Sequence, residues 1–120
     1  MTTASTLALM LLAHMAADYT LQGWLADGKQ RAWWSRNVPG LERTKYRHDY
    51  VTALVCHALY WSLLVCLPFL HSPHLLVAVA ANTAVHAVVD DLKANRHALN
   101  LTQDQMLHLV QILLTLWGLS

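Results

Sequence analysis

Each of the four apolar stretches in this chain carries ionisable or amide residues at helical spacing, and this limits how the stretches can pack. The first holds His14, Asp18 and Gln22, the second His57, the third His86, Asp90 and Lys93, and the fourth Asp104 and His108. Residues at i and i+4 or i+7 lie within about 40° of one another around an α-helix, so each set forms one polar stripe. A polar stripe on an otherwise apolar helix is costly unless it meets another. The helices are therefore expected to pack with their stripes turned inward, toward a shared polar centre.

Charge is scarce elsewhere. Apolar residues make up 56% of the 120 and charged residues 12%, about half the share usual in soluble domains. All eight Lys and Arg fall in two windows, Lys29 to Arg47 and Lys93 to Arg96, and the net charge of +1 gives no basic surface for nucleic acid. This is the pattern of a small integral membrane protein. The expected architecture is a single all-α domain over residues 1–120, a four-helix transmembrane bundle running up-down-up-down. Its spans are expected at about 5–26, 50–70, 74–95 and 103–119; crossing a hydrocarbon core of about 30 Å takes about 20 residues, so the fourth is short. The competing architecture is a soluble helical bundle buried on most sides, which the modest mean hydropathy keeps open.

Lys and Arg near span ends favour the cytoplasmic side. Both basic windows are thus expected in the cytoplasm and both termini outside, in a bacterial inner membrane. No cleaved signal is expected, because the N-terminus lacks a basic leading region and carries His14 and Asp18. The connection 27–49 holds most of the basic residues with Trp33 and Trp34, and Trp24 just precedes it. Trp beside Lys and Arg suits a membrane–water interface, so an interfacial helix or lid is expected there. Cys56 and Cys66 share one helix about 15 Å apart, too far for a disulfide.

The order within the stripes supports convergence. In an up-down-up-down bundle the first and third helices run the same way, and both read His then Asp. The fourth runs back and reads Asp then His. Matching depths then put Asp18, Asp90 and Asp104 nearer the cytoplasmic face, with His14, His86 and His108 about one turn deeper and His57 between.

A carboxylate near the centre of a span costs roughly 2.5–3.5 kcal/mol, so three unpaired ones would cost about 8–10 kcal/mol, the whole stability of a small domain. A divalent cation held by carboxylate and imidazole offsets that cost. Zinc, manganese or iron suits such donors, with His14, Asp18, His57, His86, Asp90, Asp104 and His108 as the expected ligands. Three Asp and Lys93 sum to −2, which one ion neutralises; a second ion would call for a hydroxide and an anionic substrate. One or two ions both remain open.

The expected chemistry is hydrolysis of a phosphoester or lipid-like substrate. Asp90 or Asp104, where free of metal, would be the general base, and Lys93 would stabilise developing negative charge. Lys93 snorkelling to the interface is an equal reading. The non-enzymatic alternative is an ion or proton channel, a transporter or a phage-type membrane interaction protein using the same stripes. Haem fits poorly, because an Asp stands one turn from three of the four histidines and a porphyrin face wants apolar neighbours. The expected partners are the lipid bilayer and an anionic small-molecule or lipid substrate, with self-association into a homo-oligomer left open.

The segments His86-Ala-Val-Val-Asp90-Asp-Leu-Lys93 and Asp104-Gln105-Met-Leu-His108, with Leu12-Ala-His14-Met-Ala-Ala-Asp18-Tyr-Thr-Leu-Gln22 and His57, resemble the signature of an uncharacterised family. Its members are small bacterial and phage membrane proteins grouped as a domain of unknown function. The resemblance covers most of the chain and departs between about Arg31 and Asp49, where the connection is longer, more basic and rich in Trp. The pattern is also similar to that of membrane-bound metal-dependent hydrolases. That similarity implies a metal site from the seven His and Asp residues, with Gln22 and Lys93 orienting ligands or substrate around it.

Overall fold

The computed structural model describes residues Met1–Ser120. The chain's regular structure is all helical, with α1 (Thr3–Met15), α2 (Leu25–Gly28), α3 (Arg31–Asn37), α4 (Asp49–Val65), α5 (Leu75–Ala94) and α6 (Leu101–Leu119). The four long helices occupy the four apolar stretches. α4 packs along α5, α1 closes on both α4 and α6, and α5 meets α6, so the four form a ring around a common interior.

Helix ends follow local chemistry. Thr2 caps α1 by accepting from the Ser5 N–H at 3.0 Å. α6 begins with a reciprocal capping box: the Asn100 side chain accepts from the Gln103 N–H at 2.8 Å, and the Gln103 side chain accepts from the Asn100 N–H at 3.0 Å. Asn100→Ala is expected to cost about 1 kcal/mol, read as a lower thermal midpoint of the helical signal. α1 does not end at Met15 but widens into a π-helical turn over Ala16–Thr20, closed by the Leu21 N–H donating to the Ala16 carbonyl at 2.7 Å. Such turns admit an extra residue per turn and often mark functional positions. Asp18 lies on it.

The interior divides into two layers. Met10, Ala17, Trp61, Val65, Ile112 and Leu116 form an apolar cluster. Beside it His57, His86, Asp90, Asp104 and His108 are buried almost completely. The outer faces are apolar instead: Leu76 and Trp117 are each 81% exposed, Val77 71% and Leu12 65%. Large apolar side chains thus stand on the outer faces while five ionisable ones are buried beside the apolar cluster.

The expected four spans are not matched helix by helix. Only α5 is both long and apolar enough to cross a membrane on its own. α4 stops at 17 residues, and α1 has 13 before its π turn. Two short helices join the four long ones, so the expected four-helix transmembrane bundle stands only as an all-α fold. α1 and α4 are apolar but too short, α1 because its α-helix gives way to the π turn after Met15, while in α6 the polar stripe dilutes the apolar character.

The connection 27–49 is structured. Trp24, Trp33 and Trp34 meet edge to face with centroids 5.2–5.9 Å apart, and the Trp34 indole donates to the Gly28 carbonyl at 2.7 Å. Gly28 lies so close under Trp24 that an added Cβ would sit 2.6 Å from its ring. Gly28→Ala is expected to push Trp24 aside at about 1–3 kcal/mol, visible as a shift in tryptophan emission. Asn95, just past α5, fastens this connection down. Its amide donates to the Lys29 carbonyl at 3.0 Å, and its oxygen accepts from the Arg31 N–H at 2.6 Å.

Candidate metal centre

Four long helices and one loop deliver side chains to the buried polar layer. Asp18 comes from the π turn after α1, His57 from α4, His86 and Asp90 from α5, and Asp104 and His108 from α6. Lys29 arrives from the short loop between α2 and α3.

One group of donors centres on Asp18, His57, His86 and Asp90. The Asp18 Oδ1 lies 3.0 Å from His57 Nε2 and 3.7 Å from His86 Nε2. Asp90 Oδ2 lies 3.6 Å from His57 Nε2 and 3.5 Å from His86 Nε2. Ligand atoms about 2.1 Å from a common ion stand about 3.0–3.4 Å apart in octahedral or tetrahedral arrangement, so these separations need only a small contraction to hold one. His86 matters most here, because both of its ring nitrogens are buried and without a hydrogen-bond partner. An unpartnered buried imidazole nitrogen is costly unless something else binds it.

A second group lies on the other side of Asp90. Its Oδ1 is 3.1 Å from His108 Nε2, which is 3.3 Å from Asp104 Oδ1. His86 and His108 stack at 4.0 Å, and Trp61 stacks on His86 at 4.4 Å, so the imidazoles hold one another's planes. The sets Asp18–His57–His86 and His86–Asp90–His108 each bring their donor atoms close enough to share an ion. The two carboxylate oxygens of Asp90 face different groups, Oδ2 toward His57 and His86 and Oδ1 toward His108.

Two of the expected residues take other parts. His14 is held at both nitrogens: the Trp61 indole donates to Nδ1 at 2.9 Å, and Nε2 meets Gln105 Oε1 at 2.9 Å. An indole N–H only donates, so Nδ1 is the acceptor and Nε2 carries the proton given to Gln105. Gln105 in turn donates to Asp104 Oδ2 at 3.0 Å. His14, expected as a ligand, thus stands beside the donor set as a bracket. Gln22 donates to the Asp18 carbonyl at 2.9 Å and steadies the π turn rather than the carboxylate. Lys93, a quarter exposed, donates to Asp104 Oδ2 at 3.1 Å.

Sequence reasoning placed Lys29 with the loop's basic residues, yet it is 6% exposed and donates to Asp90 Oδ2 at 2.9 Å. With neutral imidazoles, three Asp and two Lys sum to −1 rather than −2. It also passed over Asn82, Gln111 and Thr115, which link α5 to α6 below the centre. Gln111 donates to the Asn82 side chain at 2.8 Å and Asn82 to Thr115 at 2.9 Å. Gln111 Oε1 reaches toward His108 Nδ1 at 3.4 Å. The signal was present, since Asn82 lies four residues before His86, and Gln111 and Thr115 lie three and seven after His108.

A family model described as a protein of unknown function, DUF3307, matches residues 6–119. The chain belongs to that family. The DUF3307 match takes in every residue of the buried cluster, from His14 to His108, so the centre lies within the family's own domain. The kinship with an uncharacterised family expected from the motifs is met; the DUF3307 description names no activity and no membrane. No curated protein and no solved structure matches the chain.

Proposed function

We propose that this protein is a membrane-embedded metal-binding protein whose centre hydrolyses a phosphoester, with the site toward the end of the bundle that carries the basic connection. The observation that carries this reading is the meeting of Asp18, His57, His86 and Asp90 at 3.0–3.7 Å around a buried His86 that has no other partner.

The membrane part rests on the apolar outer faces and on the basic residues gathered at one end. The fold is 52 Å along its longest axis, enough to cross a bilayer of about 40–45 Å including headgroups. Grouped helices that hide their polar stripes from lipid can tolerate less apolar spans than a lone helix, and their intramembrane acids and histidines mark function.

Asp18, His57, His86 and Asp90 would hold one divalent ion, with Asp90, His108 and Asp104 as the place for a second. Zinc, manganese and iron all suit this donor set. Such an ion supplies an activated water at neutral pH and polarises the bond to be broken. The chain's own residues do the rest. Where no second ion engages it, Asp104, partnered by Lys93 and Gln105, would accept a proton from water, and Lys29 and Lys93 would bring positive charge to an anionic substrate.

The test is elemental analysis of the detergent-purified protein, followed by a phosphoesterase and lipase screen. One or two equivalents of a transition metal with turnover supports the reading; stoichiometric metal with no turnover on any substrate removes the hydrolase. A second reading is favoured by one observation, the polar chain running from Asp90 and His108 through Gln111 to Asn82 and Thr115. This chain would suit a proton relay. Proton flux in liposomes that Gln111→Leu abolishes would favour it; no flux in the wild type would end it.

A further inference from the structure

A lysine that a loop carries into a cluster of carboxylates and imidazoles is an expensive arrangement. Burying an ammonium costs several kcal/mol before pairing repays it. Here the expense is taken on with care. Asn95 holds the backbone that follows the side chain, at the Lys29 carbonyl and the Arg31 N–H. The Trp34 indole holds the preceding carbonyl at Gly28, and Trp24 covers that glycine so closely that a side chain there would have to displace its ring. Lys29 therefore arrives from a clamped tip. Its ammonium meets the same Asp90 oxygen that faces the unpartnered His86 nitrogen.

We propose that Lys29 is the anion-binding residue of this centre, reserving it for a metal together with a phosphoryl anion. The inference rests on the metal reading above. Once Asp90 gives its Oδ2 to a divalent ion, Lys29 loses much of its counter-charge while its backbone stays fastened. With neutral imidazoles, three Asp, two Lys and one divalent ion sum to +1, so the loaded centre attracts an anion. The ammonium stands one hydrogen bond from a ligand atom, within reach of an anion sharing that ion. Lys93 is a weaker candidate, being more exposed and attached to Asp104 rather than to the shared Asp90. The substrate class that follows is a phosphate ester, from a lipid headgroup or a soluble molecule.

The experiment uses the full chain in lipid nanodiscs, titrated with zinc alone and then with inorganic phosphate on the zinc-loaded protein. Lys29→Met is expected to bind zinc about tenfold more tightly, since a competing cation is gone, and to bind phosphate at least about tenfold more weakly. Lys93→Met is expected to change both by less. Unchanged zinc affinity in Lys29→Met, undiminished phosphate binding, or a larger loss in Lys93→Met would each overturn the proposal. If the wild type takes up no zinc, the metal reading falls and this inference with it; equal zinc binding by both proteins removes this inference alone. Should Lys29→Met fail to fold, Asn95→Ala carries the test, because it unfastens the tip and leaves the ammonium. It is expected to weaken phosphate binding, and full wild-type affinity there would overturn the proposal. Displacement of bound phosphate by phosphatidic acid, with none by phosphatidylcholine, assigns the anion to a lipid headgroup; displacement by a soluble phosphomonoester alone assigns it to a soluble substrate. The anion site stands in both cases, and displacement by neither overturns it.

Discussion

His86→Ala is expected to lower metal affinity by at least about 100-fold, more than the 10–100-fold typical of disturbing residues around the ligands. The reason is geometric. His86 belongs to both close triads, Asp18–His57–His86 and His86–Asp90–His108, and to the four-residue group proposed for the first ion, so its loss leaves each triad with two donors and that group with three. No neighbour replaces it, because His14 has both nitrogens engaged by Trp61 and Gln105. The substitution also opens a cavity between Trp61 and His108, at a cost of about 2–4 kcal/mol. His14→Ala therefore serves as the control, since it removes a buried imidazole from the same layer without removing a donor. Metal retained after gel filtration in His14→Ala and absent in His86→Ala would separate ligation from folding. Equal retention in both would sink the assignment of His86.

The comparison of these two histidines shows where sequence reasoning reaches its limit. Spacing puts His14 and Asp18 on one stripe and His86 and Asp90 on another, and the four stripes do meet. The inverted order on α6 brings Asp104 and His108 to the same layer as Asp90. Spacing cannot assign roles within that layer. The π turn at Ala16–Thr20 re-aims Asp18 toward His57 and leaves His14 to Trp61, and nothing in the sequence marks that turn. Trp61, four residues past His57, lies on the same helical face and could have been read as its partner. Asn82, Gln111 and Thr115 extend stripes that were already recognised and were legible by the same rule. Lys29 was not. It reaches Asp90 across 61 positions through a loop that Asn95 and the tryptophans shape, and periodicity reports only neighbours on one helix. The four expected spans failed for a related reason. The π turn that carries Asp18 ends α1 at 13 residues, α4 stops at 17, and the polar stripe lowers the apolarity of α6, so only α5, with its long apolar run before His86, passes alone.

That loop-borne lysine sets the second large effect. Asp90→Asn in the metal-free protein is expected to destabilise the fold by about 3–5 kcal/mol, because it leaves the Lys29 ammonium buried without its carboxylate. The amide keeps the shape of the side chain but cannot balance the charge, and His108 loses its Asp90 partner as well. Lys29→Met alone removes one contact of a carboxylate that still faces His57, His86 and His108, so its cost is expected to be smaller. The double variant Lys29→Met with Asp90→Asn is expected to recover much of the loss. Replacing both members of a buried ion pair with neutral groups of similar size is often tolerated, whereas removing one is not. The coupling between the two sites is expected at about 2–3 kcal/mol, the upper range for residues in direct contact. The measurement is thermal unfolding of the four proteins in one detergent with chelator present, followed by the helical circular dichroism signal. A double variant as unstable as the sum of the two single losses would mean that Lys29 and Asp90 act independently. The ammonium would then owe its place to the loop clamp and not to the carboxylate it touches.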